Sequence, residues 1–385
     1  MPSLSYSSLS DMIPYGKQTI GEDDIAAVVE VLRSDWLTTG PKVAEFERSF
    51  AEFCGCSHAV AVSNGTAALH VAMAAAGVGP GDEVIVPAIT FVATANAAVY
   101  LGARPVFADV DPGTLLIDPG SIDRLITPRT KLIVAVDYSG QPCDYSRLRG
   151  CASAHGIPLL ADACHALGAT YRQRPVGSLA DLSTFSFHPV KPLTTGEGGM
   201  IVTSDGESAR RMRVFRSHGI TTDFRQRESA GSWDYDMVSL GYNFRLPDLS
   251  CALGISQLRK LPAWIRRRNQ IAGIYHKAFA GSENIRPLAA CDDRTHGYHL
   301  FVVRVSCDRS QAFKKLREAG IGVNVHYKPV YLHPFYRNMG YDAGLCPVAE
   351  SAFESLLTLP VYPLMTDADA AEVIAQVSEV VAATE

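Results

Sequence analysis

In the stretch SFHPVKPLTTGEGGM (186–200), Lys191 stands between Pro189 and Pro192, after an apolar run and before two threonines and three glycines. Each proline removes an N–H and restricts the residue before it, so the backbone there has little freedom. A lysine shielded in such a pocket can have a lowered pKa and serve as a Schiff-base amine. The plainer alternative is a turn lysine in solvent. Ser186 and His188, just upstream, could donate to a phosphate or flank the amine.

Three further features stand at the ends of strand-like runs. Ser63-Asn64-Gly65-Thr66 opens a helix, where unpaired N–H groups and the helix dipole favour an anion and Gly65 allows its close approach. The Thr66 hydroxyl is a further donor; an ordinary N-cap turn would use the same residues. Asp162, in LLADACHALG, follows a buried run and needs a compensating partner, which a protonated ring nitrogen or an arginine would supply. Phe91, in PAITFVATANAA, could lie against an aromatic ring or pack in the core. A phosphate cradle, an aromatic face, an aspartate and a guarded lysine, in that order along one α/β unit, make the set that pyridoxal phosphate requires.

Elements of fitting length exist to hold these residues. DDIAAVVEVLRS (23–34) and Val43 to Phe53 have helical spacing, the second with Val43, Phe46, Phe50 and Phe53 on one side. HAVAVSNGT and six further runs (DEVIVPAITF, RPVFADV, TKLIVAVDYSG, IPLLADACHALG, STFSFHP, GGMIVTSD) are continuously apolar or β-branched, which predicts strands buried on both faces of a mostly parallel sheet between helices. Ligands of such sheets gather at the carboxyl ends of the strands. Near residue 250 the character changes to a long helical stretch with a break expected at Pro262. Beyond it, YHLFVVRV, QAFKKLREAG, GVNVHY and DADAAEVIAQVSEVV suggest a smaller α+β domain. The expected division is a large cofactor-binding α/β domain over 1–255, carrying an N-terminal substrate-side segment, and a small α+β domain over 256–385.

Bulk properties narrow the class. The 385 residues are 47% hydrophobic and 19% charged, enough to bury two cores. A net charge of −5 argues against nucleic-acid or anionic-membrane partners. No apolar run reaches the ~18–20 residues of a membrane span, and MPSLSYSSLSDMIPYGKQ lacks the basic and apolar regions of a secretory signal. Nine scattered cysteines, with Cys54 and Cys56 the one close pair, fit reduced thiols in a cytoplasm better than a zinc site. No G-x-G-x-x-G follows the first strand, which disfavours a dinucleotide-dependent dehydrogenase.

PYGKQTIGEDD, DWLTTGPKVAEFE, SNGTAALHVA, PAITFVATANA, ADACHALGA, the lysine stretch, GYNFRLPD and VHYKPVY together resemble the sugar-nucleotide aminotransferases of the DegT/DnrJ/EryC1/StrS family, over nearly the whole chain. The resemblance implies the fold-type I architecture of pyridoxal phosphate enzymes. It implies Lys191 as the Schiff-base lysine and Asp162 as partner of the pyridine nitrogen, with His165 beside the ring and Phe91 stacked on it. Gly65, Thr66 and Ser186 match phosphate-binding positions. Asn243 matches an asparagine that reaches the phosphate from the neighbouring subunit, which implies a homodimer with shared active sites. Arg245 is a candidate to grip a carboxylate, and Tyr15, Lys17, His188, His326, Tyr327 and Lys328 are candidates on the substrate side.

IPYGKQTI, WLTTGP and FHPVK most resemble the branch that aminates a UDP-linked 4-keto-6-deoxy-N-acetylhexosamine, with L-glutamate as donor, in pseudaminic acid biosynthesis. Members similar to this chain usually carry His where Pro192 stands. The dehydratase branch replaces the lysine by histidine, whereas this chain keeps it. The alternatives are a sibling acting on a dTDP- or GDP-linked keto-sugar, and a non-catalytic sugar-nucleotide sensor that has retained the fold.

Overall fold

The computed structural model describes residues 12–222 and 224–384; the stretch read above for a secretory signal lies, up to Asp11, outside them. Seven strands form the central sheet: β1 (His58–Val62), β2 (Glu83–Pro87), β3 (Arg104–Ala108), β4 (Thr130–Val136), β5 (Leu159–Asp162), then, after a two-residue hairpin β6 (Thr170–Tyr171) and β7 (Arg174–Pro175), β8 (Leu182–Ser186) and β9 (Gly199–Thr203). Their order is β1-β9-β8-β5-β4-β2-β3. The pairs β2–β3, β2–β4, β4–β5 and β5–β8 are parallel, while β9 runs antiparallel to both β1 and β8. All of β2 and β9 and nearly all of β1 and β8 are buried, as continuous apolar runs require.

The helices are α1 (Glu22–Leu32), α2 (Pro41–Cys54), α3 (Gly65–Ala75), α4 (Val92–Tyr100), α5 (Pro119–Ile122), α6 (Tyr145–Ala154), α7 (Gly206–Arg216), α8 (Phe224–Ser229), α9 (Asp248–Ala278), α10 (Arg309–Glu318), α11 (Pro334–Asn338), α12 (Pro347–Phe353) and α13 (Asp367–Ala382). In α2, Pro41 takes a first-turn position that needs no N–H, and Phe46 and Phe50 are buried against Phe185 and Phe187. Val43 and Phe53 flank that core half-buried.

A second sheet of three antiparallel strands, β10 (Ile285–Pro287), β11 (Phe301–Val305) and β12 (Leu356–Leu359), carries its own core with α10 and α13. The expected break at Pro262 does not occur: α9 is one helix through it. Leu258 and Leu261 pack into the first core and Ile271 and Ala272 into the second, so burial of both halves outweighs the ~3 kcal/mol cost of an interior proline. Residue 255 therefore lies inside a continuous helix. Tyr331, Tyr336 and Tyr341, far along the chain, pack around Phe107 in the first core.

The N-terminal segment is fastened to the far end of the chain. The Ile13 N–H donates to Gly320 O at 2.9 Å, Gly322 N–H to Ile13 O at 2.8 Å, and Val361 N–H to Tyr15 O at 3.1 Å. Among the described residues no helix is long and apolar enough to cross a membrane, and no cluster of His, Cys, Asp and Glu could hold a metal ion.

Candidate active site

Lys191 lies in the loop that reverses the chain between β8 and β9. The loop is pinched at its base, where Phe187 N–H donates to Gly198 O at 2.8 Å and Phe187 O accepts from Thr195 N–H and the Thr194 hydroxyl, each at 3.0 Å. Within it, Lys191 N–H donates to His188 O at 2.9 Å. Lys191 is half-buried and lines a cavity. Desolvation lowers its pKa below the ordinary lysine range, with Cys164 and Asp162 acting in opposition.

Asp162 ends β5 and is buried. Its Oδ2 accepts from the Thr94 hydroxyl at 2.7 Å, and Thr94 in turn contacts Thr90 at 2.8 Å; Oδ1 accepts from Cys164 N–H at 3.3 Å. Among the described residues it has no salt bridge to an arginine or lysine, so a carboxylate held by neutral donors is left to meet a cation in the cavity.

The anion cradle forms where α3 meets the end of β8. Asn64 caps the helix by accepting from Ala67 N–H at 2.8 Å. A Cβ on Gly65 would come within 2.7 Å of Ser186 Cβ and 3.0 Å of its Oγ, so only glycine lets the helix N-terminus and Ser186 approach this closely.

The remaining walls are aromatic and imidazole. His165 and His299, both 5% exposed, have ring centroids 4.6 Å apart. The Tyr327 hydroxyl lies 3.3 Å from His165 Nε2, while the buried Nδ1 atoms of both histidines have no partner among the described residues. His326 Nδ1 contacts the Thr358 hydroxyl at 2.9 Å, and the Tyr15 ring stands 5.5 Å from it. Burial, aided by the Lys191 charge, pushes His165 and His299 well below the usual histidine range and His326 down to about 3, so all three rings are neutral at physiological pH. Burial raises the Tyr327 phenol well above its usual range. Phe91 is 55% exposed with its ring 6.0 Å from Tyr327, so it is a cavity wall and not a core residue.

These groups surround one cavity of about 750 Å³. It brings together Gly65, Thr66, Phe91, Asp162, His165, Ser186 and Lys191 of the expected cofactor set, and Tyr15, His188, His326, Tyr327 and Lys328 of the expected substrate set. Three expected residues lie off it. Lys17 is exposed on the N-terminal segment, Asn243 is exposed where it bridges Ser217, and Arg245 is half-buried beside Arg216. Sequence reasoning missed Thr90, Thr94, His299, Asn324 and His333, which also line the cavity. Thr94 was within reach, as the polar residue of the first turn of α4, three positions after Phe91.

The residues fit pyridoxal phosphate. The Gly65–Ser186 contact would be filled by any added side chain, and among the described residues the buried His165 Nδ1 lacks a partner and Asp162 has no salt bridge. Comparison with known proteins agrees. Residues 18–378 match the DegT/DnrJ/EryC1/StrS aminotransferase family. The chain is 44% identical over 377 residues to the spore coat polysaccharide biosynthesis protein SpsC of Bacillus subtilis (strain 168), covering 96% of this chain and 97% of that protein. The structure of Spr1654 from Streptococcus pneumoniae, solved in PLP-form, superposes with a TM-score of 0.91 at 35% identity, covering 97% of this chain and 100% of that one. PseC of Helicobacter pylori, an aminotransferase involved in the biosynthesis of pseudoaminic acid, superposes with a TM-score of 0.90 at 32% identity and the same coverage. With this site on this fold, the chain belongs to the DegT/DnrJ/EryC1/StrS family and is a pyridoxal phosphate-dependent aminotransferase.

Proposed function

We propose that the chain moves the amino group of L-glutamate to the 4-keto carbon of a UDP-linked 4-keto-6-deoxy-N-acetylhexosamine, the amination used in pseudaminic acid biosynthesis. The observation that carries this reading is the size and lining of the cavity: at about 750 Å³ it is bounded by Tyr15, Lys328 and His333 as well as by Lys191. That leaves room for a nucleotide-linked sugar, with a cationic group to meet its diphosphate. The similarity to PseC supports the sugar, and IPYGKQTI, WLTTGP and FHPVK support the same branch.

Asn64, Gly65, Thr66 and Ser186 would hold the cofactor phosphate at the N-terminus of α3. Asp162 would hold the ring nitrogen protonated, and His165 and Phe91 would bound the ring. When bound, pyridoxal phosphate supplies an electron sink and carries the amino group between donor and acceptor. Lys191 would be the covalent anchor and, once free, move a proton on its Nζ between the two carbons that exchange it. Its lowered pKa raises the fraction of neutral amine available for this at neutral pH. Tyr327 and His326, neutral and buried, would keep water from that proton.

The segment that ends at Asn243 exposes Trp233, Tyr235, Met237, Val238, Leu240 and Tyr242, an apolar surface suited to a second copy of the chain. In such a homodimer Asn243 would complete the partner's phosphate site and Arg245 would face a carboxylate. Nine free thiols suit a reducing cytoplasm.

Single-turnover amination of UDP-, dTDP- and GDP-linked 4-keto-6-deoxysugars tests the reading. The UDP-linked N-acetyl sugar should react fastest. Preference for a dTDP- or GDP-linked sugar would move the chain to a sibling activity. Failure with every one of these sugars would place the acceptor outside the UDP-, dTDP- and GDP-linked 4-keto-6-deoxysugars.

A further inference from the structure

Asp137, the residue after β4, is fully buried and has no place in the chemistry above. Its Oδ1 accepts from Cys143 N–H at 2.8 Å, and the Tyr145 hydroxyl of α6 lies 2.9 Å from both carboxylate oxygens. These bonds close the loop 138–142, and that loop grips the C-terminal part of the chain behind the active site. The Tyr138 hydroxyl donates to His326 O, and the Ser139 hydroxyl to Leu300 O at 3.0 Å. Gly297 N–H donates to Gly140 O at 2.8 Å, Leu300 N–H to Ser139 O at 3.1 Å, and the Gln141 amide to Ala289 O at 3.0 Å. Gly140, at φ 113°, is pressed so close that a Cβ would meet Tyr298 N at 2.7 Å and His165 O at 2.9 Å.

We infer that Asp137 is a positioning residue: in its ionised form it braces the 138–142 clasp and so sets the His326–Tyr327 wall against the cofactor side of the cavity. The clasp reaches the site at two points, with Tyr138 bonded to His326 O and Gly140 packed close to His165 O. Hydrogen bonds to a charged carboxylate are roughly twice as strong as those to a neutral one. The titratable groups that face Asp137 are Tyr145 of α6, Cys143 of its own loop and Asp162 of β5, with Arg294 acting on Cys143 from the C-terminal segment. Burial, opposed by the Cys143 and Tyr145 hydrogen bonds and reinforced by Asp162, puts the Asp137 carboxyl at about 7. The brace is therefore strong above neutral pH and weak below it. The inference rests on the family's aminotransferase activity and not on the identity of the sugar.

The direct test is hydrogen–deuterium exchange of the Gly297 and Leu300 amides in the pyridoxal phosphate-loaded enzyme, corrected for intrinsic rates. In wild type these amides should exchange about tenfold faster at pH 6 than at pH 8, the worth of one charge-assisted hydrogen bond. In Asp137→Asn they should be equally fast at both values and match wild type at pH 6. In turnover, read on whichever of the UDP-, dTDP- or GDP-linked keto-sugars wild type uses fastest, Asp137→Asn should raise KM about tenfold at pH 8, with kcat within about threefold and the cofactor absorbance retained. If Asp137→Asn fails to fold, Tyr145→Phe decides. Loss of the hydroxyl should move the midpoint of the exchange transition to higher pH. A pH-independent wild type, an Asp137→Asn enzyme as protected as wild type at pH 8, or an unmoved midpoint in Tyr145→Phe overturns the inference. If the keto-sugars all fail to react, the exchange measurement still stands.

Discussion

Gly65→Ala would test the anion cradle with one methyl group. The added Cβ would sit 2.7 Å from Ser186 Cβ and 3.0 Å from Ser186 Oγ, whereas ordinary carbon–carbon contact needs ~3.5 Å. The N-terminus of α3 and the end of β8 must then separate by most of an ångström. Neither is free to do so, because α3 is capped by Asn64 and Ser186 is paired with Gly199 in the sheet. Overpacking of this kind costs about 1–3 kcal/mol, and here it falls on the donors proposed to hold the cofactor phosphate. Affinity for pyridoxal phosphate should therefore fall about tenfold to a hundredfold. Titration of apoenzyme with pyridoxal phosphate, followed by the absorbance of the bound cofactor, measures this, with the apoenzyme melting temperature as a control on folding. In the double variant Gly65→Ala/Ser186→Gly the two nearest side-chain atoms are gone, so the penalty of the alanine should shrink. A Gly65→Ala enzyme that binds the cofactor within twofold of wild type would refute the argument from close approach. So would a penalty that is unchanged without the Ser186 side chain.

Lys191→Met should keep the fold and lose both the covalent cofactor absorbance and turnover. Because the folded-state pKa of Lys191 is lowered, the unfolded chain binds the extra proton, so the apoprotein variant should be more stable than wild type at neutral pH. Denaturant titrations should show that gap closing as pH rises toward the ordinary lysine range; a constant gap would contradict it. His326, with its pKa at about 3, is neutral when folded and protonated when unfolded between about 3 and the ordinary 6.5. Wild type should lose stability as pH falls through that window, and His326→Asn should lose less, in melting temperatures taken from pH 7 to 4. Lys191→Ala and Asn243→Ala, each inactive alone, should regain activity when mixed and allowed to exchange subunits, since one dimer site would then hold both native residues. No recovery, with subunit exchange verified by mass, would place Asn243 outside the partner's site.

The strands were legible because each is a short, continuously apolar run, and the residues proposed to hold the cofactor could be read as one set because they sit at the ends of those runs. Lys191, Asp162, Gly65 and Phe91 come together in one cavity for that reason. The direction of β9 was not legible, since a strand buried on both faces reads the same either way. The clue lay in the lysine loop, which contains no helix and so cannot make the crossover that a parallel neighbour needs. Pro262 misled because local propensity argues for a break, while two separate cores hold the halves of α9 in line. Thr94 carried a readable signal, three positions after Phe91, whereas His299 and His333 escaped because what gives them a role is contact across the fold, with His165 and the cavity lining, and no spacing in the chain encodes it.

The fastening of the N-terminal segment also governs when the cavity can exist. Tyr15, one of its walls, is held by a backbone bond from Val361, and Ile13 by bonds to Gly320 and Gly322. During synthesis the ribosome releases Tyr15 long before either partner has been made. The lysine loop belongs to the central sheet, but the cavity walls at Tyr15, His299, His326 and Tyr327 cannot close until the last part of the chain has emerged. The complete cavity is thus a late product of synthesis, assembled from both ends of the polypeptide.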